Sequence, residues 1–152
     1  MSFLDIQRIY QIEGLPTDGQ FNEWVDAALS DENQGCEIVI RIVDVNESSA
    51  LNQQYRQKPG STNILSFPFD PPENIDLNLL GDLVICAPIV EKEAQQQSKT
   101  ICDHWAHITI HGVLHLQGFD HIEEREAEAM EEQEITILHS LNLNNPYLQE
   151  NK

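Results

Sequence analysis

The sequence predicts an α+β fold, with about four strands in a mixed sheet flanked by helices and the two C-terminal helices packed on each other. Three observations carry this. Four short strand-like runs are interleaved with five segments of helical character. No repeat, low-complexity linker or composition break divides the chain. Its 152 residues match about one domain, 1–152, long enough to bury roughly 70% of the unfolded surface and build a core without staples.

The elements follow in order. FLDIQRI near the N-terminus alternates apolar and polar residues, as a half-buried strand does. Thr17-Asp18-Gly19-Gln20 has the form of a capping box, Thr17 capping and Gln20 reaching back. Phe21, Trp24, Val25, Ala28 and Leu29 then recur at the spacing of an amphipathic helix. Glu37–Val45 is rich in β-branched residues and reads as a strand. Asn46 is placed to cap a short helix running through Tyr55 and Arg56. Thr62–Phe69 and Gly81–Ala87 are two further strands, separated by the Pro- and Asn-containing loop 70–79. Pro88 suits the start of a helix that reaches about Gln97. One long helix covers about 100–117 and another about 123–141. Periodicity says nothing about strand order.

Hydrophobic content of 40% and charged content of 22% are those of an ordinary soluble globular protein. The longest apolar runs, IVIRIV and LGDLVICAPIV, are interrupted and fall far short of the roughly 20 residues of a membrane span. The N-terminus lacks the basic start, apolar block and cleavage site of a signal peptide. Three cysteines, an odd number, do not suggest a disulfide framework, so a cytoplasmic protein with no membrane partner is expected. The charge is unusual: 8 Lys+Arg against 26 Asp+Glu, a formal −18. That excludes loose electrostatic binding to nucleic acid, which requires clustered cations to displace counterions. A nucleic-acid substrate gripped at one local basic spot is still allowed. Arg8, Arg41, Lys58, Lys92 and Lys99 are the cations available to join Arg56 there.

The segment HGVLHLQGFDH at 111–121 carries the chemistry. His111 and His115 are four apart on a helical segment, so both imidazoles leave the same face one turn apart. Two nitrogens so placed can share a tetrahedral metal. Gly118 falls where helices commonly end in a left-handed residue, and that reversal can return His121 as a third ligand. A lone helical histidine is ordinarily a core or surface residue, but three at this spacing around a glycine form a metal motif. His107 lies on the same stripe as an outer hydrogen-bond donor or a packing residue. His104 and His139 are read as structural or surface residues. Asp120 either orients a histidine N–H, as carboxylates beside metal sites do, or is an ordinary turn aspartate.

The spacing is that of the long zincin signature, H-E-x-x-H-x-x-G-x-x-H. A metallopeptidase carries its general-base glutamate at the second position, and this chain has Gly112. The metal grip survives and the peptidase base is gone. A structural zinc would need four protein ligands, usually including cysteine. No C-x₂-C pair exists, and Cys102 is about 13 Å along the helix axis from His111. Three histidines with an open position are the catalytic pattern, which points to one zinc ion per chain.

HGVLHLQGFDH, with AHITI before it, closely resembles the signature of the bacterial YbeY family of rRNA maturation factors. LNQQYRQKPGSTNILSFPFD at 51–70 and LGDLVICAPIV at 80–90 resemble two further ordered blocks of that family. Together they cover roughly half the chain. The resemblance implies a zinc-dependent, single-strand-specific endoribonuclease acting in rRNA processing, notably 16S rRNA 3′-end maturation, and in ribosome quality control. It implies single-stranded rRNA and the small ribosomal subunit with its proteins as partners, zinc ligands at His111, His115 and His121, and a functional arginine at Arg56. The family often has Thr-Asp before its Leu-Ser-Phe-Pro strand, where this chain has Thr62-Asn63 and no carboxylate.

Phosphodiester cleavage needs a nucleophile and stabilisation of charge on phosphoryl oxygens. A zinc ion at His115 and its neighbours can supply the first, and Arg56 has the planar fork that matches two phosphate oxygens. By itself, an arginine in so acidic a chain reads first as a surface ion pair. Water and the RNA's own 2′-OH both remain open as nucleophiles. The competing readings are another zinc hydrolase, such as a peptidase with its base elsewhere, and a ribosome-assembly factor whose metal is mainly structural. The glutamate-rich segment 123–134 is expected to be a solvated helix face, held by Ile135, Ile137, Leu138 and Leu141.

Overall fold

The computed structural model describes residues 3–69, 78–119 and 124–147. The order is β1 (Phe3–Arg8), α1 (Asp18–Ala28), β2 (Glu37–Val43), α2 (Val45–Arg56), β3 (Ile64–Pro68), β4 (Leu79–Cys86), α3 (Ala87–Gln96), α4 (Ile101–Leu116) and α5 (Glu124–Ser140), with a short 3₁₀ turn at Asp31–Asn33. The strands form one mixed sheet in the order β1-β2-β4-β3. β1, β2 and β4 run parallel, and β3 pairs antiparallel with β4 at the edge. The expected α+β fold, with four strands and five helices, is the observed one.

Strand alternation sends side chains to two faces. Ile38, Ile40 and Ile42 of β2, with Leu83 and Ile85 of β4, meet α1, α3, α4 and α5 in the main core. Val43, Leu65, Val84 and Cys86 face the other way, where Leu51 of α2 and Ile89 of α3 cover them. Helix α4 is the central element of the main core. Ten of its residues, from His104 to Leu116, are buried. Trp105 packs edge-on against Phe21 of α1 at 5.9 Å between ring centroids.

Caps set most boundaries. The capping box at Thr17 and Gln20 forms in both directions. β2 ends two residues earlier than its composition suggests, and Asp44 rather than Asn46 caps α2. The Asp44 carboxylate accepts from the Glu47 N–H at 2.9 Å, so Val45 becomes the first helical residue despite its β-branch. The segment 70–77, most of the expected loop, lies outside the described residues.

Asn63, where the resemblance led one to look for a carboxylate, is part of a polar cluster between sheet and helices. Its amide donates to Glu93 of α3 at 3.1 Å, and the ring of His104, 1% exposed, bonds the same carboxylate at 2.9 Å. Burial pushes the Glu93 carboxyl up, but the hydrogen bonds from His104 and Asn63 outweigh it and leave the group below the usual 4.5. A depressed folded value adds stability above the unfolded value, which disappears as pH falls through the folded one. Glu93→Gln is therefore expected to be less stable than wild type at pH 7, with the gap closing below about pH 4.5. Urea midpoints at several pH values check this, and a gap independent of pH would show that the Glu93 charge does not contribute.

Candidate metal centre

Helix α4 presents His104, His107, His111 and His115 in one stripe, because the spacings 3, 4 and 4 follow the helical turn. His111 and His115 are half-buried, and their rings meet edge-to-face at 4.6 Å between centroids. Their Nε2 atoms are 3.1 Å apart. The helix stops as the glycine foretold. Gly118 has φ +100°, its N–H reaches the His115 carbonyl at 3.0 Å, and the Phe119 N–H reaches the Leu114 carbonyl at 3.1 Å. This is a Schellman closure. Gln117 ties the same end to α1 and the turn after it, accepting from the Ser30 N–H at 2.8 Å and donating to the Ala28 carbonyl at 2.8 Å. His121 and Asp120 lie outside the described residues.

One residue of the site was hidden in the acidic run. Glu134 is 0% exposed, not part of a solvated face. It occupies the buried stripe of α5 with Met130, Ile137 and Leu138, whereas Ile135 and Leu141 are only half-buried. Its carboxylate accepts from His111 Nδ1 at 2.6 Å and His107 Nε2 at 3.2 Å, and from the Tyr147 hydroxyl. His107 Nε2 also meets the Tyr147 oxygen at 3.1 Å. Burial drives the Glu134 carboxyl upward, yet the hydrogen bonds and charge of His107 and His111 hold it at about 2. Burial, together with the same carboxylate, raises the Tyr147 phenol and keeps it protonated. Burial lowers His107 against the pull of Glu134. The signal for Glu134 was present in its spacing, four after Met130 and four before Leu138, but a crowd of glutamates concealed it.

Gly112 has a packing reason. A Cβ there would lie 2.5 Å from Ile64 Cδ1 and 2.8 Å from Leu83 Cδ2. A side chain there would force the Ile64 and Leu83 methyls to shift. A tighter contact lies at the other end of β3, where a Cβ on Gly81 (φ +155°) would meet the Phe67 carbonyl at 2.5 Å and Leu116 Cδ2 at 2.7 Å.

Arg56 closes α2, on the opposite sheet face from α4. It is exposed, and no hydrogen bond or ion pair involves it among the described residues. Its neighbour Tyr55 packs edge-on against Phe67 of β3 at 5.3 Å. Phe67 and Pro68 pair with Asp82 and Gly81, and Gly81 abuts Leu116 beside His115. Arg56 and His115 thus share one end of the sheet, with the edge strand β3 between them. Of the other cations, Arg8 pairs with Asp18 at 2.7 Å and Arg41 pairs with Glu47, so neither joins a patch around Arg56.

The donors suit a metal. His107, His111 and Glu134 each bring a ligand atom within 4.8 Å of the others, so residues able to hold an ion are gathered between α4 and α5. The His111–His115 nitrogen pair offers a second arrangement. Two nitrogens bound tetrahedrally at about 2.0–2.1 Å lie about 3.3 Å apart, close to the separation here.

Fold and site together define an α+β protein with a histidine–carboxylate group able to hold a metal ion. The Endoribonuclease YbeY family model matches residues 7–142. An Endoribonuclease YbeY from Colwellia psychrerythraea is 52% identical over 151 residues, covering 97% of each chain. One from Methylococcus capsulatus is 56% identical over 144 residues, covering 95% of this chain and 94% of its own. The chain belongs to the endoribonuclease YbeY family. The solution structure of TM1509 from Thermotoga maritima matches at a TM-score of 0.57 and 22% identity, over 99% of this chain and 98% of that one, which shows the shared fold.

Proposed function

We propose that this chain cleaves single-stranded rRNA at one zinc ion held by His111, His115 and His121, with Arg56 gripping the scissile phosphate. Membership of the endoribonuclease YbeY family makes it an rRNA-processing endoribonuclease, with RNA as substrate. The observation that carries the metal reading is the pair of Nε2 atoms 3.1 Å apart, with His111 Nδ1 engaged by a buried carboxylate. Glu134 itself is the weaker candidate ligand, because it is fully buried and already accepts from three donors. The zincin-like spacing does not favour a peptidase, since Gly112 is packed against Ile64 and Leu83 and carries no base.

Zinc, when bound, supplies Lewis-acid chemistry and lowers the pKa of water. The protein's part is to hold and orient. His111 and His115 project from a rigid, buried helix, so their geometry is set before substrate arrives. Arg56 offers its fork to two phosphate oxygens from across the edge strand. A net charge of −18 disfavours loose RNA binding, which supports cleavage while docked on the small ribosomal subunit and its proteins, in the cytoplasm. Among the described residues no helix is long and apolar enough to cross a membrane.

Metal removal tests the proposal. Chelation is expected to abolish cleavage of a labelled 16S 3′-end fragment while far-UV circular dichroism is retained, and zinc should restore activity. Unfolding on chelation would instead mean a structural metal and an assembly-factor role. Arg56→Ala is expected to lower the cleavage rate about 10²-fold at unchanged stability, since a hydrogen bond to a charged group contributes roughly 1.5–3 kcal/mol. A wild-type rate in that variant would remove Arg56 from the mechanism.

A further inference from the structure

We propose that Glu134 is a positioning residue for the metal centre: through His111 Nδ1 it fixes which ring nitrogen faces His115, while His107 and Tyr147 lock the carboxylate in place. The inference rests on the reading of His111 and His115 as ligands. An ionised carboxylate only accepts hydrogen bonds, so the 2.6 Å contact places the proton of a neutral His111 on Nδ1. The lone pair then belongs to Nε2, the atom 3.1 Å from His115 Nε2. The carboxylate cannot swing away, because the Tyr147 hydroxyl holds Oε2 while His107 and His111 hold Oε1. Glu134 is on α5 and the histidines are on α4, so the tautomer is set by the packing of two helices and not by the motif itself. Carboxylates hydrogen-bonded to metal-bound histidines typically contribute 10–100-fold in metal affinity.

Zinc affinity, measured by competition with a chromophoric chelator, tests this on wild type, Glu134→Gln, Tyr147→Phe and His115→Ala. Thermal unfolding of each metal-free protein runs alongside. Glu134→Gln keeps the volume and removes the charge. It is expected to melt below wild type, because the buried charge and its accepted hydrogen bonds stabilise the fold, and to bind zinc about 10–100-fold more weakly when titrated well below that melting temperature. Tyr147→Phe deletes one neutral donor and is expected to weaken zinc about fivefold. In ¹⁵N spectra of the metal-free proteins, His111 should show a single Nδ1–H tautomer in wild type and a mixture in Glu134→Gln. Wild-type zinc affinity in Glu134→Gln overturns the proposal. If that variant fails to fold, Tyr147→Phe decides, and unchanged affinity there overturns it equally. His115→Ala separates the two levels. Unchanged affinity in that variant refutes the ligand reading itself, whereas a loss there beside an unaffected Glu134→Gln refutes only the positioning role. Zinc binding abolished by Glu134→Gln but retained in His115→Ala would make the carboxylate a ligand, with His107 and His111, and would also overturn the proposal.

Discussion

His115→Ala should lose at least about 10³-fold in RNA cleavage while folding normally. A metal's stabilisation of transition-state charge is worth several kcal/mol, and each 1.36 kcal/mol is tenfold in rate. Removing His115 deletes one of the two nitrogens that face each other at 3.1 Å, and with it one of the three ligands proposed for the ion. The fold has little reason to suffer. The side chain is half-buried, alanine is the best helix former, and the ten buried residues of α4 are untouched. A stability change within about 1 kcal/mol is expected. The measurement compares cleavage of a labelled single-stranded 16S 3′-end fragment by zinc-loaded wild type and variant, purified identically. Equal rates would place the activity at another site or in a contaminating nuclease.

Gly112→Glu should destabilise the protein severely, not convert it into a peptidase. The substitution completes the zincin pattern on paper, since it puts a glutamate between the two helical histidines. In the structure it drives a Cβ to 2.5 Å from Ile64 Cδ1 and 2.8 Å from Leu83 Cδ2, inside the main core. Overpacking alone costs about 1–3 kcal/mol, and an unpaired buried carboxylate adds several more. The total exceeds about 4 kcal/mol, a large share of the roughly 5–15 kcal/mol that holds a domain together. A large fall in melting temperature, with much of the protein aggregating, is the expected result. A well-folded variant that cleaves casein would contradict both the packing argument and the exclusion of the peptidase reading. Gly112→Ala, which adds only the Cβ, should be destabilised by about 1–3 kcal/mol and keep its metal.

Much of the site was legible because its logic is local. The helical pair His111 and His115, the glycine stop at Gly118 and the cap at Thr17 each depend on spacing along one segment, and spacing is visible in a string of letters. Asn46 and Asp44 both satisfy the capping rule, and only the hydrogen bond to Glu47 chooses Asp44. Glu134 was missed for a different reason. Its neighbours Glu128 and Glu132 are on the solvent side of the same helix, so charge density masks the apolar stripe of Met130, Ile137 and Leu138. A buried carboxylate is stable only beside donors, and these arrive from α4 and from Tyr147. No pattern within α5 could announce them.

The sequence by itself determined the α+β class, the element order, the histidine stripe and the family, since all of these are written in local periodicity and short motifs. Tertiary structure alone decided the strand order β1-β2-β4-β3, the burial of Glu134 against His107 and His111, and the placement of Arg56 across the edge strand from His115. The physical reason is range. Helical and strand periodicities depend on neighbours a few residues away, whereas strand pairing and a buried ion's partners depend on which distant surfaces exclude water together.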